Sequence, residues 1–195
     1  RSLPAGVTLV LNGDTVHTHD PRRYPPAHRA ALDALREESL RRRVVWIRGN
    51  HDERYVMEDP ARVEFVPHHN LGKALFIAHG SDFNSVAPRN RVLIVLFRLI
   101  HRFRIVLGAE AIHMAAFVKR FPLLYRIMLS HVAVNAVQYA KENGYAAVAC
   151  GHTHCAEDRV QDGIRYLNTG AWTEGTSYCL WAADDGTLEL RAVPD

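Results

Sequence analysis

Two histidines follow a short apolar run in the segment Ala146-Ala147-Val148-Ala149-Cys150-Gly151-His152-Thr153-His154. An apolar run of this length that ends at a glycine predicts a buried strand. Three earlier runs have the same design, and polar side chains follow each of them: 7–11 before Gly13-Asp14, 44–47 before Gly49-Asn50-His51-Asp52, and 74–78 before His79-Gly80. Open α/β sheets bind ligands beyond the carboxyl ends of their strands, so we expect these side chains to converge.

The rest of the pattern predicts the layers around these strands. Residues 26–43 carry apolar side chains at helical spacing among charges, as an amphipathic helix does. Asp162-Gly163 and Asp185-Gly186 each lie between two strand-like runs and predict hairpin turns. Together these features predict an α/β (α+β) fold, a layered β-sandwich flanked by helices, in one domain over residues 1–195.

Residues 88–143 differ from the rest of the chain and predict a helical insertion. Eight arginines and lysines lie between Arg89 and Arg126 against one acid, Glu110. We expect helices that form a lid over the site, with Leu96, Ile100 and Phe117 lining a groove. The alternative is that these helices cover the core and that their charged face is simply solvated.

Composition limits the classes of function. The net charge of +3 is too small to indicate nucleic-acid binding on its own. Three cysteines, an odd number, argue against a disulfide scaffold and favour a reducing, cytoplasmic environment. The longest apolar run, 92–97, is far shorter than a membrane span of about 20 residues.

Histidine is abundant, with 12 residues in the chain, and several follow the predicted strands. The candidate metal ligands are one carboxylate, one amide and three imidazoles: Asp14, Asn50, His79, His152 and His154. A mixed oxygen and nitrogen set suits Mn, Fe, Co, Ni or Zn better than Mg or Ca. Two ions about 3.5–4 Å apart can clamp a phosphate group. A zinc site that uses Cys150 and Cys155 is an alternative, although Cys150 is expected to point into the core.

The four motifs, in this order, resemble the calcineurin-like metallophosphoesterase superfamily. The resemblance implies a β-sandwich and two divalent cations, manganese foremost. It also implies that Asp14 bridges the ions, that Asn50, His79 and His152 complete the second site, and that His154 binds the first. Asn50 and His51 would contact the phosphate. His51 would act as general acid, paired with Asp52.

A second resemblance concerns the substrate. Residues 168–175, Asn-Thr-Gly-Ala-Trp-Thr-Glu-Gly, together with the helical insertion, are similar to UDP-2,3-diacylglucosamine diphosphatases. That resemblance implies hydrolysis of the pyrophosphate in a lipid-linked nucleotide sugar of lipid A synthesis. For a cytoplasmic protein, the basic and apolar insertion 88–143 would permit peripheral contact with the anionic inner membrane, and nucleic acid is not expected as a partner.

The sequence departs from the superfamily pattern at one point. The family uses an Asp-x-His pair on a strand ahead of Gly13-Asp14, and this chain contains no Asp-x-His. We expect that an N-terminal strand is lacking; alternatively, the first site is degraded or completed by His17, His19 or Asp20. Two other functions therefore stay open: a nuclease or cyclic-nucleotide phosphodiesterase, and a non-catalytic scaffold.

Overall fold

The computed structural model describes residues 4, 6–17, 20, 24–84, 91–108, 120–173 and 175–194. Three helices are present in these residues: α1 (Pro26–Arg41), α2 (Arg91–Val106) and α3 (Pro122–Glu142). A short 3₁₀ turn spans Ser81–Phe83. The strands are β1 (Leu9–Asn12), β2 (Val44–Ile47), β3 (Val63–Val66), β4 (His68–Leu71), β5 (Leu75–Ala78), β6 (Ala147–Cys150), β7 (Glu157–Gln161), β8 (Ile164–Asn168), β9 (Tyr178–Ala182) and β10 (Leu188–Ala192).

The described strands form two main sheets and one hairpin. The first sheet is parallel, in the order β1-β2-β3, with Val10 opposite Val45 and Val45 opposite Glu64. The second has the order β4-β5-β6-β8-β7; its three central strands are parallel and its two edge strands antiparallel. Strands β9 and β10 pair as a separate antiparallel hairpin. The four parallel strands predicted from apolar runs and both predicted hairpins are therefore confirmed.

Three clusters of buried side chains stack these elements into layers. One lies between the two sheets and joins Val45 and Ile47 of β2 to Leu75 of β5 and Leu167 of β8. A second packs α1 against the outer face of the first sheet, around Trp46. A third packs α3 against the outer face of the second sheet. The order is helix, sheet, sheet, helix, which confirms the predicted layered sandwich.

The insertion 88–143 contains α2 and α3 in its described part. The second half of α3 belongs to the core, because Ala133, Ala136, Val137 and Ala140 are at most 1% exposed against the second sheet. This half matches the core-covering alternative. Ile100 on α2 is exposed. Phe117 and the side chain of Leu96 lie outside the described residues, so the groove stays a prediction. Within the described part of the chain, no helix combines the length and apolar character that crossing a bilayer requires.

Strands β3 and β4 were not anticipated from the sequence. The alternation in Val63-Glu64-Phe65-Val66 is a strand signal, and it places Val63 and Phe65 against α1. Pro67 separates β3 from β4 and turns the chain from one sheet to the other. The polar sequence of β4 carries no such signal, because it is an exposed edge strand.

Candidate metal centre

Tight turns after the parallel strands bring the predicted ligands together. Asp14 follows β1 with φ of 52°, and Gly13 before it has φ of 74°, a region that side chains rarely adopt. A Cβ on Gly13 would lie 2.5 Å from Nδ1 of His79, and one on Gly49 would lie 2.2 Å from Oδ1 of Asp14. Glycine at these two positions therefore allows the loops after β1, β2 and β5 to touch.

Three of the predicted ligands, Asp14, Asn50 and His152, lie in contact with a fourth, His79. Nε2 of His79 lies 3.1 Å from Oδ2 of Asp14 and 3.3 Å from Oδ1 of Asn50. Nδ1 of His152 lies 3.3 Å from the same Nε2. One ligand atom from each of Asp14, His79 and His152 falls within 4.8 Å of the others. The convergence expected from the strand ends is present.

The spacing of these atoms fits a divalent transition metal. Ligands bound at about 2.0–2.2 Å in tetrahedral or octahedral geometry lie about 3.0–3.5 Å from one another. The three contacts at Nε2 of His79, 3.1, 3.3 and 3.3 Å, fall in that interval. Two imidazoles, a carboxylate and an amide oxygen are donors suited to Mn, Fe, Co, Ni or Zn. The residues present therefore fit a metal ion.

The electrostatics of the site also favour a cation. Burial raises the pKa of Asp14, but its hydrogen bond to His79 and the nearby imidazoles outweigh burial and lower this pKa to about 2. Burial lowers the pKa of His79, but the hydrogen bond and charge of Asp14 outweigh burial and raise it. Burial, followed by the charge of His79, lowers the pKa of His152 to about 4. The lowered pKa values of Asp14 and His152 favour the carboxylate and the neutral imidazole that metal binding requires, whereas the proton that Asp14 stabilises on His79 has to leave when a metal binds.

Further groups orient the two imidazoles. Nδ1 of His79 lies 3.1 Å from the carbonyl oxygen of Asn12 and donates a hydrogen bond to it. This bond orients the ring so that Nε2 faces Asp14. Nδ2 of Asn84 lies 3.2 Å from Nε2 of His152, and Asn84 is only 3% exposed. Sequence reasoning missed Asn84. The only available signal was its position five residues after His79, at the end of the 3₁₀ turn.

His51 lies at the open side of the cluster. Its backbone N–H donates to Oδ1 of Asp14 over 2.8 Å, and its Nε2 lies 3.9 Å from Oδ2 of Asp14. Its ring packs against that of His17, with centroids 4.8 Å apart. The side chain is 39% exposed, so it is accessible to a ligand at the cluster. His19 lies outside the described residues.

Asp52 points the other way, into the protein. Its carboxylate accepts hydrogen bonds from the backbone N–H groups of Thr15 and Gly49 and from Nε1 of Trp46. It is fully buried and ties the loop after β2 to the loop after β1. In this structure Asp52 is a positioning group for Asp14 and His51. Its predicted catalytic pairing with His51 stays a prediction.

The loop that carries His152 and His154 is held from two sides. Nδ2 of Asn168 donates to Oγ1 of Thr153, and the hydroxyl of Tyr125 on α3 donates to the carbonyl oxygen of Thr153 over 2.9 Å. His154 has φ of 55°, and its N–H donates to the carbonyl oxygen of Gly151. Burial is the main cause of the lowered pKa of His152, and the charge of His154 adds to it. Metal binding by His154 stays a prediction.

Cys150 lies in the core, as the sequence predicts. It is fully buried between the second sheet and α3, and burial raises the pKa of its thiol to about 12. Cys150, Cys155 and Cys179 are all free thiols. A buried thiol with a raised pKa is a poor metal ligand, which argues against the zinc alternative.

Comparison with known proteins identifies the family. The sequence profile of the calcineurin-like phosphoesterases matches residues 3–156. No curated protein matches the chain.

Similar solved structures include protein TM1076 of Thermotoga maritima, at 18% identity and a TM-score of 0.39, covering 95% of this chain and 97% of that one. They also include a Vps29 single mutant from Entamoeba histolytica, at 17% identity and a TM-score of 0.38, with the same coverage. Vacuolar Protein Sorting 29 of Cryptosporidium parvum has 13% identity and a TM-score of 0.39, covering 95% of both chains. Likeness at this level carries no argument about function.

Proposed function

Because the chain belongs to the calcineurin-like phosphoesterase family, we propose that it is a metal-dependent hydrolase of a phosphodiester or pyrophosphate bond. The observation that supports this most is that ligand atoms of Asp14, Asn50 and His152 lie 3.1–3.3 Å from Nε2 of His79. These four residues would hold one divalent cation. His154, on the same loop as His152, would contribute to a second. Manganese is the metal to test first.

Each residue has a defined part in this proposal. Bound divalent cations would polarise the phosphoryl group and lower the pKa of a water molecule. Asp14 would supply the negative charge that holds the cations, with Gly49 and Asp52 fixing its position. The side-chain oxygen of Asn50 would bind a cation, and its side-chain N–H would donate to a phosphate oxygen.

His51 would contact a phosphoryl oxygen and donate a proton to the leaving oxygen from its accessible ring. The backbone N–H of His51 donates to Asp14, and this hydrogen bond holds His51 next to the candidate metal ligands. Hydrolysis splits the phosphorus–oxygen bond of the leaving group, and the proton from His51 neutralises the oxygen that departs.

For the substrate, we propose a lipid-linked nucleotide sugar similar to UDP-2,3-diacylglucosamine, as in the lipid A pathway, acted on in the cytoplasm. Two features support a substrate of this kind. The segment after β8 runs beside the histidine loop, because the N–H of Thr169 donates to the carbonyl oxygen of Cys150. Arginines and exposed apolar side chains on α2 and α3 suit phosphates and acyl chains.

The test is hydrolysis by the purified protein. Removal of metal with a chelator and addition of Mn²⁺ should abolish and restore cleavage of bis(p-nitrophenyl) phosphate. UDP-sugars should compete with this cleavage, whereas cyclic nucleotides and DNA should not. Activity that survives chelation, or no activity with any of Mn²⁺, Fe²⁺, Co²⁺, Ni²⁺ or Zn²⁺, would contradict the proposal.

A non-catalytic scaffold is the second candidate function. One observation favours it: among the described residues, the group whose ligand atoms converge comprises Asp14, His79 and His152, which suffice for a single ion. Calorimetric titration with Mn²⁺ separates the candidates. Two bound ions per chain favour the enzyme, and one ion without hydrolysis favours the scaffold.

A further inference from the structure

A cavity of about 300 Å³ adjoins the metal centre, and the proposed reaction leaves it without a role. His79 belongs to both sites, because it lines the cavity and its Nε2 lies 3.1 Å from Oδ2 of Asp14. Arg48, which directly follows β2, and Ala78, the last residue of β5, also line the cavity. The cavity therefore lies at the carboxyl ends of these strands, where α/β sheets bind their ligands. We call it the side cavity.

Aromatic side chains from three elements line the side cavity next to one another. The ring of Tyr139 on α3 lies 4.8 Å from that of Phe76 on β5 and 5.6 Å from that of Phe83 in the 3₁₀ turn, measured between centroids. Phe76 is buried in the core, and the half of α3 that carries Tyr139 packs against the same core. These rings are therefore held in place before a ligand binds, and an aromatic surface of this kind favours a flat ring as its ligand.

Three polar residues, Arg48, Ser81 and Asp82, also line the side cavity. Nη1 of Arg48 donates to three backbone carbonyl oxygens of the loop after β2, over 2.9–3.3 Å. These bonds fix the guanidinium group and leave its Nη2 able to donate to a ligand. Asp82 is exposed, and its carboxylate forms no ion pair within the described part of the chain. The side cavity therefore offers a ligand both a hydrogen-bond donor and an acceptor.

We propose that the side cavity binds the base of a nucleotide substrate whose phosphate is held at the metal centre. This inference rests on the proposed function and adds which residues recognise the nucleotide part of the substrate. Uracil, the base of the proposed substrate, has a flat face that stacks on aromatic rings. Its edge carries two carbonyl oxygens and an N–H, so a carbonyl oxygen would accept from Arg48 while the N–H donates to Asp82.

Size and charge favour a base over the other parts of a phosphoester substrate. Ligand pockets usually measure about 300–1,000 Å³, so the side cavity suits one ring system rather than a whole nucleotide sugar. A phosphate group would meet the carboxylate of Asp82 as well as Arg48, and the like charges repel. An acyl chain would displace water from Arg48, Ser81 and Asp82 without replacing its hydrogen bonds, which is costly.

Calorimetric titration of the Mn²⁺-loaded protein with UMP and with ribose 5-phosphate tests the proposal. Both compounds carry a ribose with a 5′-phosphate, so the comparison isolates the base. We expect UMP to bind about 5–150-fold more tightly than ribose 5-phosphate, the usual effect of one stacked base. Glucose 1-phosphate tests whether a sugar ring occupies the side cavity instead, and it should bind no more tightly than ribose 5-phosphate.

Two variants change the side cavity in different ways. Asp82→Ala should weaken UMP binding about tenfold or more, because a hydrogen bond accepted by a charged group is lost. Ser81→Phe should reduce the affinity for UMP to that for ribose 5-phosphate, because the larger side chain fills the side cavity. Asp184→Ala is the matched control, since Asp184 is an exposed acid in the turn between β9 and β10. Circular dichroism establishes that each variant is folded.

Saturation-transfer NMR with uridine in EDTA tests the side cavity without metal or phosphate, and transfer to the base protons is expected. Four results overturn the proposal. They are no transfer to uridine, equal affinity for UMP and ribose 5-phosphate, glucose 1-phosphate binding as tightly as UMP, and folded Asp82→Ala and Ser81→Phe binding UMP as the wild type does.

The proposed function is measured separately, as cleavage of bis(p-nitrophenyl) phosphate by the wild type. Base-dependent binding without cleavage supports the side cavity as a base site and removes the phosphoesterase. Cleavage without base-dependent binding does the reverse.

Discussion

The side-chain amide of Asn84 lies 3.2 Å from Nε2 of His152, while Nδ1 of the same ring faces His79 at 3.3 Å. The imidazole is thereby held from both nitrogens, one toward the metal cluster and one toward the 3₁₀ turn after β5. If Nδ1 binds the metal, Nε2 carries the proton, and the side-chain oxygen of Asn84 is the natural acceptor after rotation of the amide. Asn84 is thus the partner that aims His152.

Asn84→Ala should lower metal affinity by about 10–100-fold, the usual cost of removing a hydrogen-bond partner of a ligand histidine. Calorimetric titration with Mn²⁺ measures this loss. Asn70→Ala is the control, because Asn70 contacts Tyr145 on the exposed edge strand. Equal affinity in the wild type and Asn84→Ala would show that Asn84 does not orient the ring.

Gly49→Ala should disrupt the metal centre, because its Cβ would lie 2.2 Å from Oδ1 and 2.4 Å from the backbone nitrogen of Asp14. We expect Mn²⁺ binding to be lost in calorimetric titration while the protein stays folded in circular dichroism. Gly72→Ala is a stringent control, since Gly72 has φ of 54° but open space around its Cβ. It should melt earlier yet bind metal normally. Normal binding by Gly49→Ala would contradict the close packing of these loops.

His51→Ala should lower turnover by about 10²–10⁴-fold, the usual contribution of a general acid. Metal content should not change, because the His51 ring lies outside the group of converging ligand atoms. Steady-state kinetics and metal analysis of the same preparation test both statements. His68→Ala, on edge strand β4, is the control for removal of an exposed histidine. Loss of metal in His51→Ala would instead identify His51 as a metal ligand.

The Asp14–His79 pair should make the stability of the chelated protein depend on pH in a defined window. Asp14 has a lowered pKa, so its contribution is present above 3.8 and is lost as pH falls toward about 2. His79 has a raised pKa, so its contribution is present below 6.5 and is lost as pH rises through the raised value. The pair therefore stabilises most between pH 3.8 and 6.5.

Urea unfolding of the wild type and Asp14→Asn in EDTA measures this contribution. The shift of Asp14 from 3.8 to about 2 corresponds to about 2 kcal/mol, at about 1.4 kcal/mol per pKa unit. We expect the difference in unfolding free energy between the two proteins to peak near pH 5 and to shrink toward pH 8. A difference that grows steadily up to pH 8 would contradict the assignment.

The thiol of Cys150 should not react with thiol reagents in the folded protein. Burial raises the pKa of its thiol to about 12, so almost no thiolate exists at pH 8. In a variant in which Cys155 and Cys179 are serine, a thiol reagent such as DTNB should react only after denaturant is added. Prompt reaction of the folded variant would place Cys150 outside the core and reopen the cysteine zinc site.

Local patterns were sufficient for much of the fold and of the ligand set. Residues 44–47 and 146–150 predict buried strands because a short apolar run followed closely by a glycine is typical of a strand that is covered on both faces. The motifs also predict the ligands Asp14, Asn50, His79 and His152. Asp14 and Asn50 follow strands of the first sheet and His79 and His152 follow strands of the second, so their convergence depends on how the two sheets pack. The hairpin turns at Asp162-Gly163 and Asp185-Gly186 are equally local.

Contacts between distant segments were decided only by the tertiary structure. Asn84 and His152 are 68 positions apart, and no local pattern indicates that a polar residue after a 3₁₀ turn will meet a particular imidazole. His51 and Asp52 are adjacent in sequence, yet the His51 ring is open to solvent and the Asp52 carboxylate is fully buried. Asp52 points inward because Trp46 and two backbone N–H groups donate hydrogen bonds to it.

Helix α3 shows both what the sequence predicts and what only the tertiary structure decides. Its sequence is apolar along most of its length, so sequence alone predicts a helix and leaves open which part is covered. The second sheet covers Ala133, Ala136, Val137 and Ala140, whereas Leu123 and Ile127, nearer the start of the helix, are exposed. Sequence determines where a chain can form strands, helices and ligand-bearing turns; burial depends on which surface the folded chain places opposite each side chain.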